Sequence, residues 1–172
     1  MPTAAIIGGG VIGSAWASRF LLNGWEVRFH DPAPNSQAVL NKVLDKARRW
    51  VPEVYDQLPP EGALTLCGNI VDAVTGAEWI QESTPERLEI KQAVLAEIQA
   101  SCAAKAIVAS STSGFMPSEL QAGSARPKQI LVAHPYNPVY LLPIVEVVPS
   151  EVVPEGAVQL SLIHISEPTR PS

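Results

Sequence analysis

Apolar residues occur along this chain in short runs bounded by glycine, proline or polar clusters, and between those runs they recur at helical spacing. Thr3–Gly8 is an apolar run ending in glycines, which suits a buried parallel strand. Ile12, Ala15, Trp16, Arg19 and Phe20 then repeat with helical period over Val11 to Asn23, and Gly24 is placed as the C-cap. Glu26–His30 reads as a second strand, stopped at Asp31-Pro32. Gln37 to Trp50 carries Val39, Leu40, Val43, Leu44 and Ala47 on one helical face. Strands follow at Leu64–Cys67 and Trp79–Glu82, then a helix over Leu88–Gln99. Ala106–Ser110 and Ile130–Ala133 are two further strands, separated by a Ser/Thr/Gly loop and a short helix near Ser118. Ile144–Val148 is the last strand, and Pro154-Glu155 is placed to begin another helix. Strands alternating with helices imply an α/β fold, a doubly wound and mainly parallel sheet, with no internal repeat.

Composition narrows the function classes. The 172 residues are 47% hydrophobic and 17% charged, the profile of a globular domain with a real core. A formal charge of −5 with no basic run argues against nucleic acid or an anionic membrane surface as partner. The longest apolar runs, Ile130–Ala133 and Tyr140–Val145, are far below the roughly 18 residues of a membrane span. The N-terminus lacks the positive region of a secretory signal. Cys67 and Cys102 have no metal-type spacing; they either pair or stay free thiols in a reducing compartment, and no metal site is expected. A soluble cytoplasmic protein is the expectation.

The stretch Leu160 to Ser172 reads as the translation of a transposase adaptor used in preparing sequencing libraries, with a natural strand and polar terminus as the alternative. Residues 1–159 are therefore expected to form the domain, residues 160–172 to be an artefact, and the genuine product to continue past Gln159. His164 is not counted as chemistry, which leaves His30 and His134.

Gly8-Gly9-Gly10-Val11-Ile12-Gly13 matches G-x-G-x-x-G between a strand and a helix. Gly8 permits the tight turn, Gly10 lets the backbone approach a pyrophosphate, and Gly13 lets helix pack on strand. The N-terminus at Val11 and Ile12 offers free N–H groups and partial positive charge to phosphates. Asp31 ends the next strand 18 residues after Gly13, placed to accept from ribose hydroxyls and to repel a 2′-phosphate. NAD is the cofactor this Rossmann-type unit implies. Helix capping is the plainer use of Asp31, and nearby Arg28 leaves NADP open.

The second informative segment is His134-Pro-Tyr-Asn-Pro-Val-Tyr-Leu-Leu-Pro-Ile-Val-Glu146. A histidine at a strand end suits removal of a hydroxyl proton, because its ordinary pKa lies near neutrality. A carboxylate on the other ring nitrogen would fix the tautomer, and Glu146 on the last strand is a candidate. On spacing alone, a lone histidine near a strand is more often structural than catalytic. The segment, however, resembles the 3-hydroxyacyl-CoA dehydrogenase superfamily, whose signature places a catalytic His and its Glu partner twelve residues apart around an Asn-Pro. His134, Asn137-Pro138 and Glu146 match it, and the resemblance runs over residues 3–159.

That resemblance implies further roles. Ser113, in a Ser111-Thr-Ser loop that departs from the family's Asn-Thr-Ser at its first residue, would hydrogen-bond the substrate oxygen, and Asn137 would lie on the substrate side. Glu86 and Lys91 fit the spacing of a Glu and Lys that contact the cofactor near its nicotinamide end; an exposed helix start is the plainer reading. Within the superfamily, Asp31-Pro-Ala-Pro, Ile80 to Glu89, Ser110 to Gly114 and Pro135 to Val148 are most similar to the carnitine 3-dehydrogenase branch. This implies NAD-dependent oxidation of the 3-hydroxyl of L-carnitine, a small-molecule substrate, to 3-dehydrocarnitine. It also implies a homodimer formed through a C-terminal domain absent from this chain, and a chain inactive by itself. Phe115, Tyr136 and Tyr140 offer aromatic faces for a trimethylammonium group, with core packing as their default. The alternatives are a 3-hydroxyacyl-CoA such as 3-hydroxybutyryl-CoA, or L-gulonate, as substrate, and a non-catalytic NAD-binding module.

Overall fold

The computed structural model describes residues 1–149; the expected helix start at Pro154, the boundary at Gln159 and the stretch 160–172 lie outside the described residues. The elements are β1 (Thr3–Ile7), α1 (Val11–Leu22), β2 (Glu26–His30), α2 (Ser36–Trp50), β3 (Leu64–Leu66), α3 (Ile70–Val74) and β4 (Trp79–Glu82). They continue with α4 (Leu88–Ser101), β5 (Ile107–Ser110), α5 (Pro117–Gln121), β6 (Ile130–Pro135) and β7 (Val145–Val148). Among the described residues these strands form one seven-stranded sheet in the order β3-β2-β1-β4-β5-β6-β7. All pairs are parallel except β6 with β7.

β1 is buried on both faces, which is why it reads as an unbroken apolar run. Ala4 and Ile6 enter one core with Trp16, Phe20, Leu40 and Leu44 from α1 and α2. Ala5 and Ile7 enter the other with Ile70 and Ala73 from α3 and Leu95 and Ile98 from α4. In the first core the Phe20 ring lies 5.7 Å from Trp16, 5.0 Å from Trp25 and 6.2 Å from Trp79 between centroids, within the range of favourable ring pairs. Gly24 follows the C-cap Asn23 at φ +79°, one position beyond the cap expected of it, and turns the chain into β2.

Two features were not foreseen. α3 spans five residues, too few to display a helical period, and it starts where the Asn69 side chain accepts the Asp72 N–H at 2.8 Å. The last strand runs antiparallel, brought back by the Pro-rich loop 136–144. Arg19, near the end of α1, holds that loop through Nη1 to the carbonyls of Val139 and Leu142, each at 3.2 Å.

Among the described residues, no helix is long and apolar enough to cross a membrane. Nor do three or more His, Cys, Asp or Glu side chains gather there in a group that could hold a metal ion.

Candidate active site

The strand order reverses direction between β1 and β4, and the carboxyl ends of the strands there open a crevice of the kind that takes ligands in such sheets. The glycine turn lies in it. Gly8 has φ +103°, and a Cβ there would sit 2.5 Å from the Ser83 carbonyl oxygen. A Cβ on Gly13 would collide with the Gly8 carbonyl oxygen, so α1 can approach β1 only with glycine at that position. Around Gly10, in contrast, no atom lies within 4 Å of the Cβ position. The turn is packed shut on the protein side and open on the other, as a cradle for a phosphate group requires. The exposed N-terminus of α1, at Val11 and the half-buried Ile12, completes it.

A cleft of about 840 Å³ runs from this turn past His30, Asp31 and Asn69 to Ser83, Thr84 and Ile90. The Asp31 carboxylate accepts the Gly9 N–H and, at 2.6 Å, the Ala33 N–H. It thus braces the glycine turn from β2 while lining the cleft. Arg28 donates instead to the Thr75 carbonyl and is absent from the lining. His30 Nδ1 lies 3.0 Å from the Cys67 carbonyl oxygen. Glycine geometry, cleft and acid together fit a dinucleotide.

A second cleft, of about 250 Å³, shares Ser83 and Thr84 with the first. Its other lining residues are Ile12, Glu86, Lys91, Ser111, Ser113, His134 and Pro135. Residues chosen from three distant stretches of sequence therefore meet in one place. His134 and Glu146 pair directly across β6 and β7, with Nδ1 3.8 Å from Oε2, an ion-pair distance rather than a formed hydrogen bond. Tyr136 stands edge-on to the His134 ring, 5.9 Å between centroids, and is exposed. Phe115 and Tyr140 pack partly buried against the two cores. Asn137 is exposed and is not among the residues lining this cleft.

Lys91 is not on an exposed helix start. It is 1% exposed, and its ammonium faces Glu82 at 3.0 and 3.2 Å, the Thr84 carbonyl at 3.1 Å and Glu86 at 3.4 Å. Glu86 accepts from the Thr112 hydroxyl and from the N–H groups of Ser113 and Gly114. Partial burial pushes its carboxyl up, but the Thr112, Gly114 and Ser113 donors and the Lys91 charge outweigh that and hold it below the ordinary glutamate value.

The residues that sequence reasoning missed are those beneath the cleft. Glu82 is fully buried and accepts from Thr84 N–H and hydroxyl, both at 2.6 Å, and from the Ser110 hydroxyl. Gln81, also buried, donates to Ser111 Oγ at 2.8 Å, and Ser111 shares a 2.8 Å bond with Ser83. Their signal was visible: two polar residues close the apolar strand Trp79–Glu82, whose four positions are all buried.

The family model of the 3-hydroxyacyl-CoA dehydrogenase NAD-binding domain matches residues 3–165. The chain belongs to that family. Within it, the chain is 59% identical over 149 residues to the L-carnitine dehydrogenase/betainyl-CoA thioesterase of Ruegeria pomeroyi, covering 86% of this chain and 31% of that protein. It is 47% identical over 156 residues to the L-carnitine dehydrogenase of Oceanobacillus iheyensis, covering 88% of this chain and 50% of that protein. The chain thus spans between about a third and a half of the length of these relatives. Among solved structures, an NAD-dependent 5-formyl-3-hydroxy-2-methylpyridine 4-carboxylic acid 5-dehydrogenase superposes with a TM-score of 0.87 at 31% identity, over 95% of this chain and 55% of that one. The 3-hydroxybutyryl-CoA dehydrogenase of Escherichia coli shares the fold, with a TM-score of 0.82 at 21% identity over 96% of this chain and 36% of that one. NAD is the cofactor of the family domain that the cradle and cleft match.

Proposed function

We propose that this chain is the cofactor-binding part of an L-carnitine 3-dehydrogenase, which oxidises the 3-hydroxyl of carnitine to the ketone. The observation that carries the chemistry is the meeting of Ser113 and His134 in a cleft that shares Ser83 and Thr84 with the larger cleft opening from the glycine turn. The substrate rests on the L-carnitine dehydrogenases among the relatives.

In this reading Gly8, Gly10, Val11, Ile12 and Gly13 hold the pyrophosphate, Asp31 takes the adenosine ribose, and Glu86 and Lys91 lie beside the nicotinamide end. Bound NAD supplies the acceptor for the hydride that leaves C3. His134 removes the hydroxyl proton, so the carbon loses its hydride and the oxygen its proton together. Glu146 stabilises the resulting imidazolium through space and favours the productive tautomer. Ser113 donates a hydrogen bond to the oxygen as it becomes a carbonyl, and Asn137 borders the substrate. A homodimeric assembly goes with this reading, as the resemblance implies, and so does a cytoplasmic location, where the two lone thiols would stay reduced.

The test replaces the matching segment of the Ruegeria pomeroyi relative with residues 1–149 and measures NADH formation. Turnover of L-carnitine far above that of 3-hydroxybutyryl-CoA and L-gulonate is expected. A preference for the acyl-CoA assigns the site to that substrate instead. A folded chimera that binds NAD but oxidises none of the three overturns the catalytic reading.

A further inference from the structure

The acid at position 86 gathers more contacts than a cofactor ligand needs. Its Oε1 accepts from the Thr112 hydroxyl and from the N–H groups of Ser113 and Gly114, the latter two at 3.1 Å. All three donors belong to the turn that leaves β5. The Thr112 hydroxyl oxygen in turn accepts the N–H groups of Gly114 at 3.3 Å and Phe115 at 3.2 Å. The side chain of Glu86 is itself 45% exposed, so burial does not fix it. What fixes it is the ammonium of Lys91, 3.4 Å from Oε2. That ammonium is itself held by the buried carboxylate of Glu82 and the Thr84 carbonyl. Glu82 also takes the hydroxyl of Ser110, the last residue of β5. Two carboxylates joined by one ammonium therefore hold the turn, Glu82 at Ser110 and Glu86 at Thr112, Ser113 and Gly114.

We propose that Glu86 is the positioning residue that sets Ser113 in the cleft beside His134, with Lys91 and Glu82 as its anchor. This rests on the reading of Ser113 as the residue that meets the substrate oxygen. Ser113 and Gly114 are exposed, so burial does not hold them. A serine on such a turn loses its placement when the turn moves, and hydrogen bonds to a charged acceptor are the strong ones that prevent it. With three donors on it, Oε1 is committed to the turn, while Oε2, 3.4 Å from the Lys91 ammonium, keeps acceptor capacity toward the cofactor.

The experiment uses the 172-residue chain labelled with ¹⁵N, with amide exchange and NADH binding by fluorescence measured in parallel. In Glu86→Ala the amides of Ser113 and Gly114 are expected to exchange about tenfold faster or more. The β4 and β5 amides stay protected. Unchanged exchange at Ser113 and Gly114 overturns the proposal, and a loss of NADH affinity with the turn still protected leaves Glu86 a cofactor ligand only.

Should Glu86→Ala fail to fold, acid titration of the wild-type chain decides. The Ser113 and Gly114 amide resonances are expected to follow one ionisation with its midpoint below the ordinary glutamate value of 4.5, and Glu86→Gln removes it. Lys91 is the charged group that faces Glu86 in this titration, and Glu82 stands behind it. Amide resonances that ignore that ionisation overturn the proposal. Absence of NADH binding to the wild-type chain sinks the cofactor reading and leaves the amide result to decide the clamp alone.

Discussion

His134 and Glu146 occupy directly opposed positions on the antiparallel pair β6–β7, with Nδ1 and Oε2 3.8 Å apart. They lie twelve positions apart in sequence, but strand register brings them together. A one-residue slip of β7 would turn the carboxylate to the other face of the sheet. Both groups retain contact with water, the His134 side chain at 30% and Glu146 at 60% exposure, so the pair can change charge without the cost of a buried ion. His134→Gln in the chimeric dehydrogenase is expected to lower kcat by roughly 10²–10⁴-fold, the span typical of a lost general base. Glu146→Gln should cost less, because its partner is held at ion-pair distance only. Steady-state kinetics with L-carnitine checks both, and equal losses would show that Glu146 does more than assist.

The glycines of the turn separate a folding role from a binding role. Gly13→Ala drives a methyl into the Gly8 carbonyl, and backbone on both sides cannot yield. It is expected to cost roughly 1–3 kcal/mol or more in denaturant unfolding. Gly10→Ala meets open space and should change stability by less than about 0.5 kcal/mol. Its methyl would stand where a pyrophosphate approaches, so NAD binding by calorimetry should weaken about tenfold or more.

Lys91→Met removes the partner of a fully buried carboxylate. Glu82 would then be a charge without compensation, and the chain should lose roughly 3–5 kcal/mol of stability. Adding Glu82→Gln to that variant should restore part of the loss. Urea unfolding of the single and double variants measures it, and additive losses would show that the two groups do not act as a pair.

Acid should weaken the fold partly through Glu86. Its folded pKa lies below the ordinary 4.5, so the stabilisation it contributes is complete above that value. It is lost as the pH falls through the lower folded value, where the carboxylate is protonated in both states. The stability difference between wild type and Glu86→Gln, followed by urea unfolding, should therefore shrink in acid. A difference that stays constant from neutral pH into acid would mean that the carboxylate gains nothing from Thr112, Ser113, Gly114 and Lys91.

Much of this architecture was legible because the informative signals were local. Thr3–Ile7 read as a buried strand since both of its faces enter cores, and the glycine spacing placed the turn and the start of α1. The Asp31 position followed from the end of β2, although its bond to the Gly9 N–H did not, since that depends on how closely β1 and β2 approach. His134 and Glu146 were found by resemblance rather than spacing, because nothing local announces that β7 returns antiparallel. α3 escaped notice because a five-residue helix spans scarcely more than one turn. The Glu82–Lys91 pair was missed because eight intervening residues, five of them loop, hide a contact made only when β4 and α4 pack.

The bond from Arg19 to the loop before β7 gives α1 a mechanical part beyond its N-terminus. A helix of 12 residues is a stiff rod about 18 Å long. One end of this rod forms the glycine cradle; the other carries the guanidinium that grasps the carbonyls of Val139 and Leu142. The same rigid element that presents the phosphate turn therefore also fastens the segment leading to Glu146, so the two ends of the site are referred to one helix axis.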